Sequence, residues 1–150
     1  MNILDRWKRL SKFPGHKYWF WFMMRNTAPY SATIRAQVES WEPGHITLRL
    51  KDRPAIRNHL NSIHAVALMN LCELTSGLCL LSSIPETVKG IPTRFSIDFR
   101  KKARGWLVAE AKVSPPLVTE RTSLVLKVDV KDGSHDVVCS AEVLWILQPK

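Results

Sequence analysis

Hydrophobic and polar residues alternate along two neighbouring segments in the first third of the chain, ATIRAQVESWE and HITLRLK. An alternation of period two places successive side chains on opposite faces of a strand, so both segments are predicted to be strands. Pro43 and Gly44 separate them, and these residue types are typical of turns. The pattern therefore predicts a β-hairpin.

A long apolar segment follows the hairpin, from about Ile63 to Ser82. Asn61 or Ser62 is predicted to cap a helix over this segment, because either side chain can accept hydrogen bonds from free N–H groups of the first turn, and Pro85 marks its end. Since the helix is apolar on nearly every side, we expect it to be buried.

Alternation returns in the last third of the chain, where four strands are predicted. Turn residues separate these strands at positions 102–105, 115–116 and 132–133. Their apolar positions are Phe95, Ile97 and Phe99; Leu107, Ala109 and Ala111; Leu124, Leu126 and Val128; and Val137, Cys139, Ala141, Val143 and Trp145. Two strands, a buried helix and four strands predict an α+β fold, with one antiparallel sheet of about six strands wrapped around a central helix.

A basic and aromatic segment occupies residues 2–26, and Pro14 and Gly15 divide it. We predict two short helices with a turn between them, forming an N-terminal helical extension (residues 1–26) that lies over the core. The chain has 150 residues, no internal repeat and no low-complexity linker, so a single domain over residues 1–150 is expected.

The chain carries a net charge of +9, which favours an anionic partner such as nucleic acid, an anionic membrane surface or a phosphorylated small molecule. Its three cysteines show no CxxC spacing, so neither a disulfide framework nor a metal site is predicted. The first residues lack the apolar core of a signal peptide. A reducing, cytoplasmic location is therefore expected.

Glu73 is the only Asp, Glu, Lys or Arg between Ile63 and Ile84. A buried carboxylate without a partner has a raised pKa, so Glu73 is a candidate catalytic base. A structural role, with backbone donors or a neighbouring Lys or Arg satisfying the carboxylate, is the alternative. At 100° per residue, Glu73 shares a polar stripe of the helix, predicted to face a cavity or another chain, with Asn70, Ser76 and Gly77.

His64 precedes Glu73 by nine residues, which places the two on opposite sides of the helix, so they cannot form a dyad within one chain. The helix start beside His64 offers free N–H groups and the positive end of the helix dipole, both of which stabilise an oxyanion. Asn58 and His64 can equally be ordinary residues of the loop and the helix start.

The spacing of Asn58, His64 and Glu73 resembles the motif of hotdog-fold acyl-CoA thioesterases of the phenylacetic-acid-pathway type. In that motif an Asn precedes a His-Gly-Gly at the helix start, and an Asp or Glu follows nine residues after the His. The segments RNHLNSIHAVALMNLCELTSGL, APYSATI, EPG and KKARG are similar to an uncharacterised hotdog family described as a domain of unknown function. The resemblance covers roughly residues 15–147.

The resemblance implies catalytic roles for three residues and makes His64 of the same motif a fourth catalytic candidate. Glu73 would act as general base or nucleophile at the thioester carbonyl, and Asn58 would hold the water or the carbonyl. At the helix start beside His64, the backbone N–H of Ala65 would be an oxyanion donor. Because the Asn and the carboxylate of such enzymes meet across a dimer interface, a homodimer or a tetramer is implied. Coenzyme A is expected as part of the substrate, with no other cofactor and no metal.

Further residues are candidates for contacts with this substrate. Exposed Lys and Arg attract phosphate, so Arg57 and a basic cluster are predicted to bind the nucleotide phosphates of coenzyme A. The basic cluster consists of Arg100, Lys101, Lys102 and Arg104. The remaining candidates are Asn70, Ser76, Gly77 and Thr93.

Ala65 and Val66 stand where the motif of the thioesterases has two glycines. Glycine lets a substrate approach the backbone closely, so a protein that binds acyl-CoA or another acyl thioester without cleaving it is the alternative. A nucleic-acid binder that uses the basic cluster is a second alternative. A peripheral membrane protein that uses WKRLSKF and YWFWFMM is a third.

Overall fold

The computed structural model describes residues 3–114 and 117–150, apart from the side chain of Lys17. The chain begins with three helices, α1 (Ile3–Leu10), α2 (His16–Thr27) and α3 (Pro29–Ala32). The elements that follow are β1 (Gln37–Glu42), β2 (His45–Lys51), α4 (Ala65–Leu81), β3 (Val88–Phe99), β4 (Trp106–Lys112), β5 (Thr122–Lys131) and β6 (Val137–Pro149). The predicted N-terminal helical segment is confirmed.

The six strands form one antiparallel sheet in the order β1-β2-β4-β5-β6-β3. α4 packs against β2, β3, β4, β5 and β6, so the sheet wraps around it as predicted. The turns predicted at 102–105 and 132–133 lie between strands, whereas the turn predicted at 115–116 lies outside the described residues. The predicted α+β fold class is therefore confirmed.

α4 begins at Ala65, and its N-cap is His64. The Nδ1 atom of His64 accepts a hydrogen bond from the Val66 N–H at 3.1 Å. The predicted cap at Asn61 or Ser62 is therefore wrong.

A loop contact explains why the helix begins late. Arg57 and Ile63 form a β-bridge, and the Ile63 N–H donates to the Ala103 carbonyl at 2.8 Å. The chain is therefore held extended up to the residue before the cap. None of the described helices combines the length and the hydropathy that crossing a membrane requires.

β1 begins at Gln37, later than the alternation predicts. Arg35 has a φ of 55°, in the left-handed region, which interrupts the extended backbone. Its guanidinium lies 5.5 Å from the centroid of the Trp21 ring, a long-range contact that supports this conformation. Ile34 and Ala36 are nevertheless buried, so the alternation identified the inward positions correctly.

β3 begins at Val88, before the segment in which the alternation is regular. The strand continues through Pro92, which has no N–H to donate. This is possible because β3 lies at the edge of the sheet and pairs only with β6, where a missing donor need not break a ladder.

An aromatic cluster of Trp7, Phe20 and Trp41 joins the N-terminal helices to β1. The ring centroids lie 5.5 Å apart for Trp7 and Phe20 and 6.4 Å apart for Phe20 and Trp41. All three side chains are buried. The N-terminal helices therefore lie at the β1 edge of the sheet, opposite the β3 edge.

Gly44 in the β1–β2 turn should tolerate no side chain. Its φ is 76°, and a Cβ there would overlap the carbonyl oxygen of Val113. Gly44→Ala is expected to lower the free energy of unfolding by at least about 2 kcal/mol, because the left-handed backbone and the clash both oppose it. Urea unfolding measures this, with Gly133→Ala as the control, because no atom lies within 4 Å of a Cβ at Gly133. Equal losses in both variants would contradict the described turn.

Candidate functional site

Glu73 lies on the one stripe of α4 that the described chain leaves uncovered. Val66 and Met69 precede it by seven and four residues and are 47% and 37% exposed. Most other residues of α4 are buried. Positions i, i+3 and i+7 lie on the same helix face, so Val66, Met69 and Glu73 form a continuous strip, which we name the open stripe.

The carboxylate of Glu73 is partly buried among apolar neighbours. No hydrogen-bond donor and no cation of the described residues contacts it. Desolvation by burial raises the pKa of Glu73 above its ordinary value. The alternative in which backbone donors or a Lys or Arg satisfy this carboxylate is therefore not found within the described chain. A carboxylate with a raised pKa is suited to accept a proton near neutral pH.

Ser76 and Gly77, the neighbours of Glu73 on the predicted polar stripe, are covered within the chain. The Ser76 hydroxyl donates to the Glu73 carbonyl at 2.9 Å and is fully buried. A Cβ at Gly77 would lie 3.5 Å from the Trp145 ring, so this glycine faces β6. Glu73 is thus the residue through which the polar stripe reaches the uncovered surface.

The start of α4 carries the other predicted catalytic groups. Ala65 is partly buried, and its N–H finds no acceptor among the described residues outside the helix. The first N–H groups of a helix have no partner inside it. This N–H is consequently available to an anion or a carbonyl oxygen, as the predicted oxyanion role requires.

Asn58 shapes the loop that leads to this helix start. Its Oδ1 accepts hydrogen bonds from the N–H groups of Leu60 and Ser62 and from the Ser62 hydroxyl, at 2.9, 3.3 and 3.2 Å. The carbonyl half of the side chain is thus occupied by the loop. The Nδ2 group remains to donate to a substrate or a water.

Helix geometry separates Glu73 from the start of its own helix. Glu73 follows Ala65 by eight positions, which corresponds to about 12 Å along the helix at 1.5 Å per residue. That distance is too long for both groups to contact one thioester carbonyl. A site that uses both groups therefore needs two copies of the chain.

A cavity of about 430 Å³ lies beside the start of α4. Three of the predicted site residues line it, Arg57, His64 and Asn70, together with Val66 of the open stripe. Arg53 also lines it and is not a residue to which the sequence pattern points. Its guanidinium donates to the Thr33 carbonyl, a contact between residues twenty positions apart that no local pattern reveals.

Asn70 is a buried polar side chain with one unsatisfied atom. Its Nδ2 donates to the Tyr30 carbonyl at 3.2 Å, whereas its Oδ1 has no hydrogen-bond partner among the described residues. A buried acceptor without a donor is unfavourable, so a ligand or a water that donates to this oxygen would be stabilising.

Two of the predicted phosphate-binding cations are held in ion pairs. The Nε of Arg57 lies 2.8 Å from Asp52, and this hydrogen bond holds the pKa of Asp52 below its ordinary value. Lys101 lies 2.7 Å from Asp132 and 2.9 Å from Asp136. Both cations are partly exposed, so solvent reaches and screens these pairs.

The other members of the basic cluster differ in their contacts. Arg104 donates to the carbonyls of Asn61 and Leu60 at 3.1 and 3.4 Å, so it supports the loop before α4. Arg100 and Lys102 are exposed and form no ion pair within the described part of the chain. These two are the cluster's available cations.

The β3 edge is a second uncovered surface. Ile91 and Phe99 are 50% and 48% exposed, and one side of the strand has no partner among the described strands. Thr93, a predicted substrate-binding residue, is exposed on this strand and donates to the Leu144 carbonyl at 3.3 Å. A long edge strand with exposed apolar side chains favours pairing with another chain. No group of three or more His, Cys, Asp and Glu among the described residues is arranged to hold a metal ion.

Comparison with known proteins supports the predicted resemblance. The family model described as Domain of unknown function (DUF4442) matches residues 16–147. No curated protein sequence matches the chain. A crystal structure solved as a genomics target is 26% identical with a TM-score of 0.86, and the match covers 97% of each chain.

Two further solved structures carry thioesterase names. A protein of unknown function from Pseudomonas aeruginosa, named "Probable Thioesterase", is 22% identical with a TM-score of 0.78, over 85% of this chain and 92% of that chain. A mutant thioesterase from Staphylococcus aureus is 14% identical with a TM-score of 0.71, over 81% of this chain and 100% of that chain. These likenesses confirm the predicted hotdog fold.

The raised pKa of Glu73 should make stability depend on pH. Because its pKa is higher in the folded than in the unfolded chain, the folded state binds more protons between the two values. This contribution to the free energy of unfolding falls as pH rises from the unfolded pKa through the folded pKa, and no penalty exists below both. Glu73→Gln removes the ionisation, so its stability relative to wild type should increase between about pH 4 and about pH 8.

Urea unfolding of both proteins at the two pH values measures this difference. Glu120→Gln makes the same chemical change at an exposed residue and is the matched control. An equal pH dependence in both variants would show that burial of Glu73 is not its cause.

Proposed function

Because the chain belongs to the family described as Domain of unknown function (DUF4442), and because structures with its hotdog fold carry thioesterase names, we propose that it hydrolyses an acyl thioester in a pocket between two copies of the chain. The observation that carries this proposal is Glu73, a carboxylate with a raised pKa on the open stripe of an otherwise buried helix. The thioesterase names of structural relatives suggest the reaction class. The separation of Ala65 and Glu73 along α4 is the reason for proposing two chains.

In the proposed reaction, Glu73 of one chain acts as general base, or as nucleophile, at the thioester carbonyl. As a base, it takes a proton from a water whose oxygen bonds to the carbonyl carbon. The negative charge that develops on the carbonyl oxygen is stabilised by the Ala65 N–H at the helix start of the second chain. The C–S bond then breaks and the thiolate receives the proton, which gives a carboxylic acid and a free thiol.

Association of two chains would also tune the base. A second chain over the open stripe removes water from Glu73, and desolvation raises the pKa of a carboxyl group. The pKa of Glu73 would then rise further, which makes the carboxylate a stronger base. The exposed Val66 and Met69 supply apolar surface for the same contact.

We place the dimer contact on the open stripe and on the β3 edge. The segment Phe95–Phe99 follows the irregularity at Pro92 and Arg94, so it is the regular part of the edge that is able to pair with a second β3. Pairing about a two-fold axis would join the two sheets into one.

An acyl-CoA is the substrate class that we propose. A cavity of about 430 Å³ is within the size range of small-molecule sites, and Arg53 and Arg57 are among the residues that line it. The unsatisfied Oδ1 of Asn70 is an acceptor that an amide N–H of the pantetheine arm would satisfy. The exposed Arg100 and Lys102 are able to attract the nucleotide phosphates.

One observation favours the second candidate function, binding of an acyl thioester without hydrolysis. Val66, which lines the cavity, occupies a position where the thioesterase motif has a glycine. Its side chain restricts the approach of a thioester to the helix start. Acyl-CoA that binds with micromolar affinity but releases no thiol over hours would favour this function over hydrolysis.

Two variants test the proposed catalytic groups separately. Glu73→Gln should lower turnover by roughly two to four orders of magnitude, the effect of losing a general base. Ala65→Pro removes the N–H donor and should lower turnover by roughly two to three orders. Proline is well tolerated at the first helical position, and His64 already has the extended ψ of 141° that suits a residue before proline. Release of free thiol from a panel of acyl-CoA substrates measures turnover, with Glu120→Gln as the control.

Mixing the two inactive variants tests whether each site draws on two chains. In a mixed dimer, one of the two sites combines an intact Glu73 with an intact Ala65 N–H. Chains that are unfolded and refolded together should therefore recover about a quarter of wild-type activity. No recovery in a mixture that forms mixed dimers would contradict a shared site.

Light scattering at micromolar concentration tests the dimer itself. The wild-type chain should have at least twice the mass of one chain, whereas Ile91→Lys/Phe99→Lys should be monomeric, because charge on the β3 edge opposes pairing. Phe13→Lys/Leu117→Lys places the same charges at exposed apolar residues outside β3 and should stay associated. A wild-type chain that is only monomeric would contradict the proposed site.

A further inference from the structure

α2 carries a row of aromatic side chains on the face that points away from the protein. Tyr18, Trp19 and Phe22 are 79%, 50% and 54% exposed. Phe13, in the turn between α1 and α2, is 61% exposed. We name these four residues the aromatic face. So much clustered aromatic surface is unusual on the outside of a helix, where polar residues are expected.

The core does not need these four side chains. The opposite side of α2 carries Phe20, Met23 and Met24, which are all buried. Phe20 contacts Trp7 and Trp41, so this inner side already anchors the helix to α1 and β1. Core packing therefore explains one side of α2 and leaves the aromatic face without a role.

Positive charge is concentrated in the N-terminal helices that carry the aromatic face. Residues 3–27 contain six lysines and arginines and one acidic residue. Among the described side chains, Arg6, Lys8, Arg9, Lys12 and Arg25 are all exposed, and none forms an ion pair with another described residue. Exposed aromatic side chains flanked by lysine and arginine are typical of a helix that lies in the interface of an anionic membrane.

A small cavity lies next to Tyr18. It has a volume of about 360 Å³, and Trp21 and Arg35 also line it. The Arg35 guanidinium rests on the Trp21 ring, at 5.5 Å from the centroid, which leaves its N–H groups able to pair with a phosphate. The cavity therefore offers a place for a lipid headgroup at the border of the aromatic face.

The aromatic face is separate from the proposed dimer surface. α2 packs against β1, which is the first strand in the order of the sheet, whereas β3 is the last. A dimer formed through β3 would consequently leave both aromatic faces uncovered.

We propose that the aromatic face binds the surface of an anionic lipid bilayer, with the surrounding cations on the headgroups. Apolar rings enter the boundary between headgroups and acyl chains, and the lysines and arginines pair with anionic phosphates there. A nucleic acid fits the face less well, because Trp19 and Phe22 meet edge to face at 84° and present no parallel surfaces for consecutive bases.

Vesicle co-sedimentation of the full chain tests the proposal. The chain should bind vesicles of phosphatidylcholine that contain about one third phosphatidylserine, bind neutral phosphatidylcholine vesicles more weakly, and be released as the salt concentration rises. A chain that stays in the supernatant with the anionic vesicles at low salt overturns the proposal. So does tighter binding to a single-stranded oligonucleotide than to these vesicles.

Two pairs of matched variants locate the contact. Trp19→Ser/Phe22→Ser should weaken vesicle binding by at least about ten-fold, whereas Val125→Ser/Leu117→Ser, at exposed apolar residues elsewhere, should bind like wild type. Lys8→Gln/Arg9→Gln should weaken binding by about five-fold for each charge removed. Lys89→Gln/Lys131→Gln removes two exposed charges outside the N-terminal helices and is its control. Equal effects within either pair overturn the proposal.

Light scattering distinguishes a membrane contact from self-association. Trp19→Ser/Phe22→Ser should have the same mass as wild type, because the aromatic face lies outside the proposed dimer contact. A lower mass would assign the face to an interface between copies of the chain, and that result also overturns the proposal.

Discussion

The structure depends on one constraint, which is that α4 is apolar around nearly its whole circumference and a single curved sheet cannot surround it. Five strands cover most of the helix, and they leave the open stripe of Val66, Met69 and Glu73. An uncovered apolar strip is unfavourable in water, so contact with a further molecule would stabilise it. The same strip holds a carboxylate whose pKa burial has already raised. Incomplete wrapping thus creates both the need for a partner and the candidate site.

Local hydrophobic periodicity predicted the strands of the sheet and the central helix. Strands with alternating residues and a helix that is apolar on most sides leave few alternatives to a sheet around a helix. Errors occurred where a distant residue decides the backbone. Arg35 leaves the extended conformation beside the Trp21 ring, and the Ala103 carbonyl holds Ile63 extended and delays the helix. Pro92 lies within β3 because this edge strand pairs with another strand on one side only.

The candidate site shows the same division between local and distant information. Glu73 could be recognised from sequence because a single carboxylate in a buried apolar helix is unfavourable unless it is paired or has a function. Its raised pKa follows from burial alone. The sequence could not predict that Gly77 faces β6, since this depends on its contact with Trp145, which is far away in the sequence. Arg53 was missed for the same reason, because the residues that bring it to the cavity come from the segment before β1.

The open stripe and the aromatic face differ in chemistry, and this difference assigns them to different partners. The open stripe combines aliphatic side chains with a carboxylate that gains from the exclusion of water, so a dry contact with a shaped protein surface suits it. The aromatic face combines ring edges with exposed lysines and arginines, which must keep their hydration while the rings lose theirs. A lipid headgroup layer provides both environments within a few ångströms, whereas a packed protein interface would bury the cations without partners. Since α2 packs against β1 at one edge of the sheet and β3, which carries part of the proposed dimer contact, is the other edge, one chain can use both surfaces at once.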